Sequence, residues 1–467
     1  MPACLRPLLW TAVSALATAV LVACGGGGSG GAVAPGGRCA TTNQKQFVLD
    51  ATREWYLFQE LLPASVSIGD FATPEELLDA LTATARAQGK DRFFSYLTTP
   101  QADSSFLQEG QFIGFGFRTS IQGNRLFLPD VFEDSPASEG GLTRGAEITA
   151  IDSGNGFVPI ATILATDPGL AQAFGPSTEG VERGLRFLRL DGQQVEARLT
   201  KRIVTIKPVP AAGGTAILAL PSNPSVPVGY INLRTFISTA ETPLRSAYAE
   251  FRAQGIQYFI VDFRYNGGGL VSVAELVGDL HGGNRAASDV YSNMRFNAAK
   301  ASNDSVHRFQ QQPQSVAPVR IAFITTGGTA SASELVVNSM KPWVEVAIVG
   351  EDTFGKPVGQ WAFDLSGCDL RLRLVAFKTT NAADEGDYFD GLASTLAFAC
   401  AAEDDLSRSP GDSAESSTAA ALYWLGTGAC GQIMSATGIA LQKAQTTVRP
   451  PLPRATSPAQ NYLPGLF

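Results

Sequence analysis

Three short runs of almost unbroken apolar residues constrain this chain most: Ile256–Asp262, Val319–Thr325 and Val344–Val349. Each has the length of a strand and lacks the alternation of a strand with one wet face. Continuous apolar runs of this kind read as buried strands. Stretches with helical character at 242–254, 270–280 and 332–341 separate them. Val228-Gly229-Tyr230-Ile231-Asn232-Leu233 supplies another strand. An α/β core over residues 206–440 is therefore expected.

The chain has 467 residues, enough for two to four domains. Residues 41–107 read as helical, with Phe47, Leu49, Trp55, Tyr56, Phe58 and Leu61 apolar and Thr73-Pro74-Glu75-Glu76 opening a second helix. Asp91-Arg92-Phe93-Phe94-Ser95-Tyr96 closes that region. Residues 108–205 change to short β-type runs that start at Phe112-Ile113-Gly114-Phe115-Gly116-Phe117. Residues 441–467 are rich in proline and polar residues and read as a tail. The expected fold class is α/β multidomain: an N-terminal helical region, a β-rich middle domain and an α/β core. Net charge is −8 with no basic cluster, which argues against a nucleic-acid partner, since phosphate binding needs concentrated Lys and Arg.

Residues 1–23 read as an export signal. Arg6 gives a positive start, and the apolar run 8–23 is short for a membrane span. The run ends in Leu21-Val22-Ala23-Cys24, which resembles a bacterial lipoprotein cleavage box. Cleavage there would leave Cys24 as a lipidated first residue, followed by a Gly-rich tether over 24–40. A plain secretory signal that contains a cysteine is the alternative. The expected place is periplasmic, anchored to the membrane, with Gly25 favouring the outer membrane. Cys39, Cys368, Cys400 and Cys430 remain, with no metal-ligand spacing. In an exported chain they form two disulfides or stay as buried thiols. Three connectivities are possible. Cys368 and Cys400 flank a strand-rich segment, which favours Cys368–Cys400 with Cys39–Cys430.

Candidate chemistry centres on Ser331. It follows an apolar strand and the turn Thr326-Gly327-Gly328-Thr329, and it opens a helix. A strand–turn–helix site exposes a hydroxyl to helix N–H groups. Ser331-Ala332-Ser333-Glu334 is also a capping box, which needs no catalysis. Ser333 competes as nucleophile. Lys356 lies in Thr353-Phe354-Gly355-Lys356-Pro357, beyond the next apolar run, and Gln360 follows on a strand. A lysine base must be neutral, which burial achieves by lowering its pKa. By themselves Lys356 also reads as a surface charge and Gln360 as an ordinary strand residue. The chain has only two histidines, His281 and His307, so a Ser-His-Asp enzyme has few candidate bases. Asp262-Phe263-Arg264-Tyr265-Asn266-Gly267-Gly268-Gly269 runs a buried strand into a glycine turn whose bare N–H groups suit an oxyanion hole. A nucleotide loop is disfavoured, because neither Gly-x-Gly-x-x-Gly nor Gly-Lys-Ser/Thr occurs.

Residues 108–205 resemble a PDZ domain: the Gly114-Phe115-Gly116-Phe117 loop, then Asp134-Ser135-Pro136-Ala137, Gly141-Leu142 through Ile148, and Ile151, with Ala146 where Asp is usual. That resemblance implies that the loop N–H groups receive a peptide's C-terminal carboxylate while its backbone pairs with a sheet edge. Over residues 41–405 the chain resembles the C-terminal-processing (tail-specific) serine peptidase family, through Ser-Ala-Ser-Glu and Thr-Phe-Gly-Lys at their spacing. The resemblance implies a peptidase core of the tail-specific type, with Ser331 as nucleophile, Lys356 as base and Gln360 orienting Lys356. It implies an oxyanion hole from the Gly268 and Ala332 N–H groups, and leaves Ser333 and Glu334 to the helix start. No cofactor or metal is implied, and the partners are proteins or peptides with apolar C-termini. Two departures stand out. Gly267 replaces the family's proline, and Pro357 replaces the glycine after the lysine, restricting Lys356 to extended backbone. A catalytically silent PDZ adaptor at the envelope, or a carrier of an apolar ligand, are the competing functions.

Overall fold

The computed structural model describes residues 35–166, 169–431, 455 and 457–467. The export signal, Cys24 and most of the proline-rich stretch lie outside the described residues.

The core is a six-stranded sheet that runs in chain order: Thr215–Leu220, Asn223–Asn232, Tyr258–Asp262, Arg320–Thr325, Glu345–Gly350 and Phe398–Ala401. The first two form an antiparallel pair, and every later pairing is parallel. The apolar runs behave as their continuity demands. Phe259, Val261, Ile321, Phe323, Val346 and Ile348 point to one face, into a core with helices Glu241–Ala253, Val271–His281 and Ala332–Met340. Ile260, Ala322, Ile324, Ala347 and Val349 point to the other, against Trp424 of helix Ser416–Thr427. The strand ends are within one or two residues of the sequence reading, apart from Asn223–Asn232, which starts earlier as a hairpin partner.

A second sheet forms around Arg371–Thr380, which pairs with Tyr96–Thr98, Val290–Phe296 and Val358–Asp364. Helices Thr41–Trp55 and Pro74–Ala87 pack on it through Val48, Leu77, Leu81 and Leu374. The N-terminal region thus reaches the core through Tyr96–Thr98. Residues 117–200 make a separate antiparallel sheet with its own apolar core, including Phe115, Phe117, Leu126, Ile148, Phe174 and Phe187. The chain enters and leaves it through the paired strands Gln111–Gly114 and Arg202–Thr205. Arg234 fastens this unit to the core: it is 7% exposed and pairs with Asp130 at 2.7 Å and Glu133 at 2.6 Å.

Two sequence expectations are corrected. The disulfides are Cys39–Cys368 and Cys400–Cys430, not Cys368–Cys400 with Cys39–Cys430. Cys368 lies in the hairpin between Val358–Asp364 and Arg371–Thr380, in the second sheet and beside the start of helix Thr41–Trp55. Cys400 is on the edge strand of the core sheet, next to the end of the helix that precedes Cys430. The two ends of the supposed bridge therefore belong to different sheets. The tail reading also fails at its end. Ala459, Tyr462, Leu463 and Leu466 are at most 4% exposed and share a core cluster with Phe106, Phe112, Phe132 and Ile237. Their i, i+3, i+4, i+7 spacing is a packing signal that the surrounding prolines hide.

Candidate active site

Three adjacent parallel strands end at the same edge of the core sheet: Tyr258–Asp262, Arg320–Thr325 and Glu345–Gly350. Their following loops carry Gly267–Gly269, Ser331 and Lys356. Crevices at the carboxyl ends of parallel strands are where open α/β sheets place ligands.

Side chains tie the first two loops together. Thr329 Oγ donates to the Phe263 carbonyl at 2.7 Å, and Ser333 Oγ donates to the Asn266 carbonyl at 2.9 Å. Ala330 N–H donates to the same carbonyl at 3.0 Å. Ser333 is fully buried and is spent on this bond. Ser331 sits between them at φ 57°, ψ −116°. That backbone is strained for a non-glycine residue and costs on the order of 1–3 kcal/mol. An ordinary N-cap serine has extended backbone instead. The Glu334 arm of the capping box is nevertheless made, since Ser331 N–H donates to Glu334 Oε2 at 2.9 Å. The capping contact from Glu334 and the strained serine backbone thus coexist here. Gly268 lies against Ser331: a Cβ on it would be 2.8 Å from Ser331 Cβ, and its φ is 104°.

Glu334 does more than cap. It is completely buried and also accepts from Gly355 N–H at 2.7 Å and Lys356 N–H at 2.8 Å. One carboxylate therefore clamps the serine turn to the lysine loop. Burial raises its pKa, and the N–H donors around it pull the other way.

Lys356 is 5% exposed. Burial pushes its pKa down to about 8, against the pull of Asp91 and Glu334. Its Nζ lies 4.8 Å from the centre of the Phe94 ring. Phe94 and Phe354 meet edge to face at 5.9 Å and wall the pocket. Arg92 donates to the Phe354 carbonyl at 2.9 Å and the Gly355 carbonyl at 2.5 Å, fixing the lysine loop from outside. Gln360 Nε2 donates to the Phe94 carbonyl at 3.1 Å. Lys356, Gln360, Phe94, Ala330 and Gly267 line one cavity of about 190 Å³. Among the described residues no hydrogen bond joins Ser331 Oγ to Lys356 Nζ.

The expected oxyanion donors differ in state. Ala332 is the first helical residue, so its N–H has no intrahelical acceptor. Gly268 N–H is already committed to Asn266 Oδ1 at 2.9 Å, because Asn266 is anchored on the Leu233 carbonyl and folds back on it. Gly114, Phe115, Gly116 and Phe117 lie on the other unit, where Gly116 and Phe117 N–H donate to Phe467 O at 2.9 and 3.3 Å. His281 is buried against Tyr248 Oη at 2.9 Å, and His307 pairs with Asp279 at 3.2 Å. Neither histidine serves the serine. Sequence reasoning missed Asp91, Arg92 and Phe94. The signal was present: an acid and a base beside two aromatic residues at the end of an otherwise helical segment.

Residues 227–389 match the model for peptidase family S41, and residues 43–96 match that for the peptidase S41 N-terminal domain. The carboxyl-terminal-processing protease of Synechocystis sp. is 26% identical over 345 residues, 72% of this chain and 74% of the relative. The chloroplastic C-terminal processing peptidase of Tetradesmus obliquus is 31% identical over 200 residues, 40% of this chain and 39% of the relative. The fold is that of a putative S41 protease from Bacteroides fragilis, with a TM-score of 0.63 at 22% identity, covering 82% of this chain and 97% of that one. The chain thus carries both the N-terminal and the peptidase domain of family S41, and over most of its length it is similar to a carboxyl-terminal-processing protease.

Proposed function

We propose that the chain is an exported serine endopeptidase that cleaves proteins with apolar C-terminal segments, using Ser331 as nucleophile and Lys356 as base. The observation that carries this reading is Lys356: a buried lysine with a pKa of about 8, clamped by Glu334 to the turn that holds a strained serine. Desolvated lysine is available as a base near neutral pH, whereas a surface lysine is not. Ser331 Oγ attacks the scissile carbonyl as Lys356 Nζ takes its proton. Lys356 then returns that proton to the leaving amine, and water releases the acyl group from Ser331. Gln360 shares the cavity with Lys356 and orients it. Ala332 N–H faces the developing oxyanion, and Gly268 N–H joins it by exchanging its Asn266 partner. Such donors are worth about 3–4 kcal/mol each. The serine and lysine close to hydrogen-bond distance when a substrate fills the cavity.

Residues 108–205 act as a PDZ domain whose 114–117 loop receives the substrate end. Its support is the resemblance of the motif and the separate antiparallel unit that carries it. The reading of residues 1–23 as an export signal, with Cys24 as its lipidated residue, supports a periplasmic enzyme on a lipid anchor. Labelling with a radioactive fatty acid checks the anchor: wild type takes up label and Cys24→Ser does not, while label in both excludes it.

The base must be neutral, so activity is expected to rise with pH through about 8. Below that value, kcat/KM falls about tenfold per pH unit. A pH–rate profile that is flat from pH 6 to 9 contradicts the lysine base.

A further inference from the structure

The segment 457–467 crosses both parts of the site, and its contacts are those of a bound peptide. At its far end it adds a strand to the edge of Phe117–Gln122. Gly116 and Phe117 N–H donate to Phe467 O at 2.9 and 3.3 Å, and Phe467 N–H donates back to the Phe117 carbonyl at 3.0 Å. Thr119 N–H donates to the Gly465 carbonyl at 2.8 Å, with Leu466 facing Arg118 in antiparallel register. The Phe467 ring enters the apolar core of that unit and meets Phe174 at 4.4 Å between centres. This is recognition by strand addition, with an aromatic side chain in a pocket.

Upstream, the same segment lies on the catalytic turn. Gly267 N–H donates to the Tyr462 carbonyl at 2.9 Å. Tyr462 stacks on Phe106 at 5.3 Å and reaches the Tyr96 hydroxyl at 3.3 Å. Ser457, Gln460, Asn461 and Pro464 help line the cavity that holds Lys356 and Gln360. Gly267 makes this possible. It stands where the resembling family carries proline, which has no N–H to donate. A Cβ at that position would lie 2.7 Å from the Tyr462 oxygen.

We infer that residues 457–467 are a tethered occupant of the substrate path, which a polypeptide carrying an apolar-aromatic pair such as Leu-Phe at its recognised end must displace before it reaches Ser331. The inference rests on the proposed roles of Ser331 and of the 114–117 loop. The occupant also gives the dimension of the path. With Phe467 in the groove, the segment passes the glycine turn at Tyr462, about five residues upstream, so cleavage falls on residues N-terminal to the recognised ones.

A labelled synthetic peptide of residues 458–467 tests this, titrated against the full chain and a chain lacking 465–467, both carrying Ser331→Ala so that no peptide is lost to cleavage. A tethered competitor reaches an effective concentration in the millimolar range, so the shortened chain is expected to bind at least ~10-fold more tightly. Hydrogen exchange on the full chain is the second measurement and needs no shortened chain: excess peptide should speed exchange at the amides of Leu463 and Phe467. Equal affinity of the two chains, or exchange there unmoved by saturating peptide, overturns the inference. In the background with Ser331 intact, removing 465–467 should lower KM about tenfold and leave kcat unchanged. Competition without any cleavage would remove the peptidase reading alone. Cleavage with no competition would remove the occupant alone.

Discussion

Ser331→Ala and Lys356→Met are both expected to abolish peptide cleavage, by about 10⁴-fold or more, yet to move stability in different ways. The alanine removes one half-buried hydroxyl and should leave stability within about 0.5 kcal/mol of wild type. The methionine should stabilise. The native pKa of Lys356 is about 8, below its ordinary 10.5. Between those values the unfolded chain binds the proton and the native chain does not, so stability rises with pH across that window. Below pH 8 the native state carries a buried ammonium, at a cost on the order of 3 kcal/mol. An apolar chain of similar shape avoids that cost, and a gain of about 1–3 kcal/mol at pH 7 is expected, shrinking above pH 10. Thermal melts at pH 7 and pH 10 read this directly. A methionine variant that is less stable at pH 7 would show that the pocket does not disfavour charge. The combination of lost activity and gained stability separates a functional lysine from a structural one.

Glu334→Ala is the second large effect. Three N–H groups, those of Gly355 and Lys356 buried and that of Ser331 partly so, lose their acceptor together. An unsatisfied buried donor costs about 1–3 kcal/mol, so a loss of roughly 3–5 kcal/mol is expected. Misplacement of the serine turn against the lysine loop should lower kcat by about 100-fold. Glu334→Gln keeps one acceptor oxygen and should recover part of both. It also removes a negative charge that holds the proton on Lys356. The acidic limb of the pH–rate profile should therefore shift to lower pH in Glu334→Gln, which a purely structural role does not predict. Full activity and an unchanged melt in Glu334→Ala would contradict the clamp.

The strand runs made the core sheet legible, because continuous apolar sequence at strand length has few other uses. Ser331 and Lys356 were legible for a related reason: each follows such a run directly, so each lies at the same sheet edge. Glu334 read only as a helix cap. Its second and third hydrogen bonds reach 21 and 22 residues ahead, and nothing local in Ser-Ala-Ser-Glu encodes them. Arg92 and Phe94 escaped because they come from the N-terminal region, more than 260 residues from Lys356, and join the cavity only when Tyr96–Thr98 pairs with the second sheet. The cysteine pairing failed on the same ground. Flanking a strand-rich stretch says nothing about which sheet each end joins, and Cys368 and Cys400 end up on different ones. At 459–466, prolines and polar residues diluted an apolar spacing that the fold uses in full.

The most direct test of the dyad is to find the acyl group. An unfolded substrate ending in Leu-Phe, in excess over the enzyme, is quenched with acid early in turnover, and the enzyme is mapped by peptide mass spectrometry. The account predicts an adduct on Ser331 that is absent in both Ser331→Ala and Lys356→Met. Substrate cleaved at the wild-type rate by Ser331→Ala, with no adduct on Ser331 in the parent, would contradict it.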